Sequence, residues 1–324
     1  LYYALRLIQS DIYLLQKGSD QPHVYASDIQ YIKVPAVSVP IQKKALAEAH
    51  AIEKEIETIE SSIKKNGEII DDVFNREFRF AMDEFNRTKQ AKRFSANYRT
   101  LSNNADLRFS AKFHRDSGNF VMQELMNRTD KKIKHYLAEP IVLGASVSPS
   151  DYSDDGEFCY ISMATIKNWK FDLESASTVS KEYSDSKQAK TVRKNDIILA
   201  RSGEGTIGKV ALIDDDELQG VFADFTMRIR LKDSNPEFAY YYFRTTYIQY
   251  LIEIYKKGLG NNTNIFPIVV REFPMLDISL EEQQRIVDKI HAEIAKQDEI
   301  KKQIESLRGQ IDVMIQDVLT QNQG

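Results

Sequence analysis

Three glycines in "DIILARSGEGTIGKVALI" (196–213), Gly203, Gly205 and Gly208, have the G-x-G-x-x-G spacing that can cradle a dinucleotide pyrophosphate. That chemistry needs a strand before the glycines and a helix after them, so that phosphate meets a helix N-terminus. Here the strand pattern "DIILAR" leads in, but a second strand pattern, "KVALI", leads out. No acidic residue ends a following strand where a ribose would need it, and "IDDDE" reads as a turn. The glycines therefore predict a hairpin-like loop and not a cofactor cradle. The five histidines, His23, His50, His114, His135 and His291, do not stand at metal-ligand spacing from other ligand types. The single cysteine, Cys159, excludes an internal disulfide framework, suits a reducing cytoplasm and reads as a small buried apolar residue.

Other catalytic classes are equally empty. There is no Gly-Lys-Ser/Thr phosphate loop, no nucleophile elbow and no acidic nuclease cluster. "NPEF" (235–238) resembles the Asn-Pro-Pro-aromatic motif of amino-methyltransferases but lacks the second proline, and Pro236 fits a helix start better. The chain's 42% hydrophobic and 28% charged residues describe an ordinary globular protein, with no apolar run long enough for a membrane span. A net charge of −4 hides a pattern. Residues 45–80 carry nine acids against five bases and 281–324 nine against six, which leaves +3 on everything else. Residues 186–209 hold six bases against two acids. An acidic scaffold carrying basic globular parts is compatible with DNA binding.

The elements that must position such groups come from an internal repeat. "YYALRLIQSDIYLLQKG" (2–18) resembles "YYFRTTYIQYLIEIYKKG" (241–258), each an amphipathic helix pattern closed by glycine. A polar turn follows, then an apolar strand-like run with proline ("IQYIKVPAVSVP", "IVVREFPMLDIS"), then a glutamine, Gln42 or Gln283, opening a long helix. In the second helix Ile286, Ile290, Glu293, Gln297, Ile300, Ile304, Leu307, Ile311, Met314 and Val318 keep 4-3 spacing. Shifted by the repeat, the first helix has Ala45, Ala49, Ile52, Ile56, Ile59, Ile63, Asn66, Ile70, Val73 and Glu77. Such spacing predicts a coiled coil. An antiparallel pairing sets the small alanines against Met314 and Val318, with a seam of Ile52, Ile56, Ile59, Ile63 and Ile70 against Ile300, Ile304, Leu307, Ile311 and Met314.

Between the helices, residues 81–130 read as a lead-in with one or two short helices. Strands are expected within 157–166, 196–201, 208–213 and 226–232, and one helix over 236–258. Several strands without regular β-α alternation predict an α+β fold, a globular domain with a mixed sheet flanked by two long helices. The expected divisions are a tail at 1–40, a first coiled-coil helix at 41–80, a globular domain at 81–279 and a second coiled-coil helix at 280–320. The opening "LYYALRLIQSDIYLLQ" has neither Met nor a signal-peptide layout and reads as the interior of a longer gene product.

The segments "YISMATI" (160–166), "VRKNDIILARSGEGTIGKVALI" (192–213), "FADFTMRIRLK" (222–232), "PEFAYYYFR" (236–244) and "GLGNNTNIFPIVVREFPMLDISLEEQQRI" (258–286) occur in a telling order. With the repeated proline–glutamine helix entry, they resemble the DNA-sequence specificity subunit of Type I restriction–modification systems. The resemblance implies target recognition domains alternating with conserved helices, the first domain represented here only by its C-terminal tail. It implies a non-catalytic chain that binds duplex DNA, reads one half of a bipartite target and docks adenine methyltransferase subunits, with the helix pair as ruler. S-adenosylmethionine, ATP and magnesium would belong to partner subunits, one of them a possible restriction translocase. The implied location is the cytoplasm.

On that resemblance the DNA-contacting residues are sought on loops: Lys167, Asn168, Lys170, Arg201, Ser202, Lys209, Asn261, Asn262, Thr263 and Asn264. Arginine pairs bidentately with guanine and asparagine with adenine, while lysine mainly positions on phosphate. Arg201–Ser202 stands out, because the neighbouring glycines let backbone approach DNA closely. Trp169 reads as an anchor of the domain. Two other readings stay open at this point: the recognition region of a fused single-chain methyltransferase–restriction enzyme, and a coiled-coil adaptor without a nucleic-acid role.

Overall fold

The computed structural model describes residues 1–18, 21–96, 98–102, 108–156, 158–258 and 260–321, the side chains of Thr100 and Asn261 excepted. The chain divides into two compact units, Leu1–Lys65 with Glu293–Gly324, and Asn66–Ala292.

In the first unit the helix Val39–Glu60 pairs with the C-terminal part of the 41-residue helix Leu280–Thr320. Ala45, Ala49 and Ile56 are buried with Ile304, Leu307, Ile311 and Ile315, and Ile52, Ile59, Ile63, Ile300, Met314 and Val318 pack half-buried around them. The direction is antiparallel: Arg308 pairs with Glu60 at 2.7 Å, while further along the Lys64 amide donates to the Gln297 side chain at 2.9 Å. The N-terminal segment joins this seam as two short helices, Tyr2–Leu7 and Gln9–Tyr13, in place of one, with Tyr3 and Leu7 in the apolar cluster. The small Ala45 and Ala49 and the bulky Met314 and Val318 all belong to this one apolar cluster.

The first long helix does not run unbroken over 41–80. It stops at Glu60 and restarts as Asn66–Phe78. Ser61 and Ser62 turn their hydroxyls onto the carbonyls of Thr58 and Ile59, each at 2.6 Å, offering the backbone an alternative to the next helical turn. The Lys64 amide then bonds to the Gln297 side chain. Ile70, placed in the coiled-coil seam by its spacing, therefore lies in the second unit, fully buried beside Ile69, Val73 and Phe74. Ile286 and Ile290 are likewise buried there.

The second unit is built on short strands: β1 Val142–Leu143, β2 Phe158–Ile161, β3 Ile166–Lys167, β4 Lys170–Phe171, β5 Ser177–Val179, β6 Ile197–Ala200, β7 Val210–Leu212, β8 Gly220–Phe222 and β9 Thr226–Ile229. One sheet has the order β1-β9-β6-β7 and is antiparallel throughout; a second, β5-β2-β8, is mixed because β2 and β8 run parallel. Every residue of β6 and β9 is buried, so that sheet is covered on both faces. Ile161, Ile166, Val192, Ile198, Ala200, Ala211, Ile213 and Phe222 form one core cluster. The four expected strand segments are all occupied, and the fold is α+β.

The expected helix over 236–258 is two, Pro236–Arg244 and Thr246–Tyr255, because Thr245 adopts an extended conformation and caps the second. The Asp71 carboxylate accepts from both the amide and the hydroxyl of Thr246, at 2.7 and 2.6 Å, at the positive end of that helix. Burial nevertheless holds the Asp71 pKa above the usual carboxylate range. The lead-in holds helices Met82–Gln90, Tyr98–Ser102 and Asp116–Met126.

The repeat persists in the structure as two local devices. Gly18 and Gly258 take φ of 110° and 113°, each inside a small loop closed by a bridge, Lys17 to His23 and Lys257 to Asn264. Gln42 and Gln283 each donate a side-chain hydrogen bond to the carbonyl five residues earlier, Val37 at 2.6 Å and Ile278 at 3.0 Å. The apolar runs before those glutamines are not strands. The first has no strand, and the second begins as the helical turn Pro267–Val270, since proline suits a first helical position.

Candidate nucleic-acid interface

The glycine loop connects β6 directly to β7, an antiparallel pair, so nothing about it resembles a strand-to-helix phosphate cradle. Gly203, Gly205 and Gly208 all have φ between 78° and 87°, where a side chain is strained. A Cβ on Gly208 would press on Gln249 and Ile252, whereas Gly205 at the exposed tip faces open space.

Beside this loop lie residues 260–265, and the two are fastened by residues singled out from sequence. Ser202 bridges Asn264 by strand-like pairing, and the Ser202 hydroxyl donates to the Thr263 carbonyl at 3.2 Å. Arg201 is the clamp. Its Nε donates to the Asp224 carbonyl at 2.8 Å and its Nη1 to Asn264 Oδ1 at 3.0 Å, with the guanidinium 5.7 Å from the Phe225 ring centroid. Its backbone amide and carbonyl pair with Phe225 and Ile265. Three segments thus converge on one half-buried side chain, and Arg201 does not reach freely into solvent. Ser202 and Thr263 are buried, Asn264 and Lys209 half-buried, and Asn262 exposed. The side chain of Asn261 lies outside the described residues.

Lys167, Asn168 and Lys170 form a second group on the β3–β4 hairpin. Asn168 and Trp169 have φ of 49° and 65°, the two left-handed residues of a tight two-residue hairpin turn. For a residue as bulky as tryptophan that conformation costs about 1–2 kcal/mol. Supports offset it: Tyr240 donates its hydroxyl to the Trp169 carbonyl at 2.6 Å, and the Arg244 guanidinium sits 5.4 Å from the indole. Trp169 is accordingly a half-buried anchor, and Lys167, Asn168 and Lys170 stand exposed around it. Lys167 pairs with Asp172 at 2.7 Å, which holds the Asp172 pKa below its ordinary value. The turn preceding the hairpin touches the glycine loop, with the Met163 sulfur 3.8 Å from the Thr206 hydroxyl. The two groups of residues therefore belong to neighbouring loops of one unit.

Sequence reasoning passed over Phe225, 46% exposed in the turn between β8 and β9 and beside Arg201. Its signal was a phenylalanine after Asp224, inside a turn between two strand patterns. Also passed over were Arg228 and Arg230, which alternate along "TMRIR" and so share one face of the strand. Cys159 lies in β2, half-buried, and burial raises its thiol pKa. Among the described residues no group of His, Cys, Asp or Glu could hold a metal ion, and no helix is long and apolar enough to cross a membrane.

Comparison with known proteins adds three findings. The family model of the Type I restriction modification DNA specificity domain matches residues 141–307. Among solved structures, the chain is similar to one from a study of complex assembly and conformational transition of the type I R-M system. That pair shares 12% identity and a TM-score of 0.51, over 98% of this chain and 68% of the other, a likeness of fold. The S subunit of a Type-I restriction-modification system from M. genitalium (15% identity, TM-score 0.40, 98% of this chain and 71% of that one) also matches. So does the HsdS subunit from Thermoanaerobacter tengcongensis (13% identity, TM-score 0.44, 98% and 68%). No curated protein matches the chain.

Proposed function

This chain belongs to the family of Type I restriction modification DNA specificity domains, and from that premise we propose that its globular unit reads one half of a bipartite duplex target and that its paired helices dock adenine methyltransferase subunits. DNA sequence recognition is the chain's role, and catalysis is not. S-adenosylmethionine, with ATP and magnesium where a restriction translocase takes part, belongs in this reading to the partners, and the assembly works in the cytoplasm. An adaptor without a nucleic-acid role is disfavoured by the family match, which spans the whole sheet region.

The observation that carries the assignment of contacts is the β3–β4 tip. A strained turn held from behind by Tyr240 and Arg244 presents Lys167, Asn168 and Lys170 to solvent. An exposed asparagine on a fixed backbone can pair bidentately with adenine, and flanking ammonium groups can sit on phosphates. Preorganisation spares the ordering cost of binding. The fastened loops 201–209 and 260–264 supply a second edge in this reading, with Asn262 and Lys209 toward DNA and Arg201, Ser202, Thr263 and Asn264 holding them.

Fluorescence anisotropy with labelled duplexes tests the reading. Affinity should fall steeply from ~50 to ~200 mM salt, and Asn168→Ala should flatten the preference among duplexes that differ at single base pairs. Absence of duplex binding at low salt would refute it.

A further inference from the structure

At the end of β6 opposite the glycine loop lies a recess of about 240 Å³, lined among others by Glu139, Lys190, Thr191, Arg193, Arg228 and Arg230. It is roomy enough for several waters, and so for a phosphate group that keeps part of its hydration. Arg228 and Arg230 project from one face of β9 and its extension and are tied down. Glu139 pairs with both, and Asp196 accepts from Nε and Nη2 of Arg230, each at 2.7 Å. Asp196 is 1% and Arg228 5% exposed. Two guanidiniums and two carboxylates balance, which leaves Lys190 and Arg193 in surplus.

The Lys190 ammonium donates to the neutral Leu143 carbonyl at 2.7 Å. Arg193 is exposed, and among the described residues no hydrogen bond or ion pair involves its guanidinium. Burial, then the charge of Arg228, holds the Lys190 pKa below its ordinary value, and burial, then Arg230, does the same to Arg228. A site that crowds four cations around a buried frame, with too few anions, is built to receive one.

We propose that this recess binds a phosphate group, with Arg193 and Lys190 closing on its oxygens while Arg228 and Arg230 set the field. The inference rests on the DNA-recognition reading for its favoured source, a backbone phosphodiester. The recess is separate from the base-reading loops. Asp196 to Arg201 spans about 17 Å at 3.4 Å per residue, about five base steps along a strand. Such a contact positions the unit on the duplex and carries no base information.

The test uses the full chain and Arg193→Ala, a substitution of an exposed side chain, with Lys190→Gln as the second variant and thermal melts as the check on folding. In one arm, affinity for a duplex of arbitrary sequence is measured across salt. Arg193→Ala should lower the slope of log K against log salt by about one, weaken all duplexes alike and leave the preference among sequences unchanged. In the other arm, inorganic phosphate is titrated and followed by ³¹P line broadening. Phosphate binding lost in Arg193→Ala, with the salt slope unchanged, assigns the recess to free phosphate or a phosphomonoester. If folded variants keep both the slope and the phosphate response of the parent, the proposal is overturned. A parent chain that binds no duplex overturns the DNA reading, and the phosphate arm alone then decides the recess.

Discussion

Replacing Arg201 separates a DNA contact from a clamp. Two hydrogen bonds from a charged donor are worth up to about 1.5–3 kcal/mol each, but Arg201 is only half-buried, so about 2 kcal/mol in total is the expected loss for Arg201→Ala. For a unit of this size each kcal/mol lowers the melting temperature by about 2–4 °C, giving a fall of about 4–8 °C. The unfastened loops must be reordered on binding, and about 2 kcal/mol corresponds to roughly a 30-fold loss of affinity. Arg201→Lys keeps the charge but not the two-nitrogen geometry that spans the Asp224 carbonyl and Asn264. It should behave like the alanine variant in both calorimetry and anisotropy. Adding Asn264→Ala to Arg201→Ala should cost less than the sum of the two single changes, because the pair shares a bond. If Arg201→Lys retains parental melting and parental affinity, the clamp reasoning is refuted and Arg201 acts as a simple charge on the phosphate backbone.

Further outcomes follow from single side chains. Gln283 is 1% exposed, accepts from the Asn235 amide and the Ser234 hydroxyl and donates to Ile278, so Gln283→Leu should cost about 2–4 kcal/mol by stranding buried partners; chemical denaturation measures it. Ile311, fully buried in the helix pair, should cost about 2–5 kcal/mol as alanine, read as loss of helical circular dichroism at lower denaturant. Glu272, bonded by Lys134 and Lys132, has its pKa drawn down to about 2. A depressed acid contributes stability above its unfolded pKa, so this contribution should fade as pH drops from about 4.5 toward 2. It should be small because the pair is partly solvated, and Glu272→Gln should flatten that acid limb.

Much of the architecture was legible because it follows from periodicity. The 4-3 spacing from Ala45 to Ile63 and from Ile300 to Val318 marked two stripes that bury each other, and β-branched runs marked β2, β6, β7 and β9. The repeat was readable down to Gly18 with Gly258 and Gln42 with Gln283. What escaped was local competition. Spacing continues unbroken through Ile63 to Ile70, while the hydroxyls of Ser61 and Ser62 end the helix between them. Thr245 interrupts a smooth apolar pattern in the same way, by capping. The candidate contacts divided for a related reason. Residue type identifies Arg201 as able to meet a base, but only tertiary packing reveals that Asp224 and Asn264 already occupy it. The excess of bases over 186–209 was readable, but not that Glu139, Arg228 and Arg230, distant in sequence, share a recess with Lys190 and Arg193.

The most direct measurement is a genome-wide map of methylated adenine in a host with and without this gene. One recognition sequence should lose its methylation when the gene is removed and regain it when the gene is restored. Identical maps in the two strains, with the partner methyltransferase expressed in both, would contradict it.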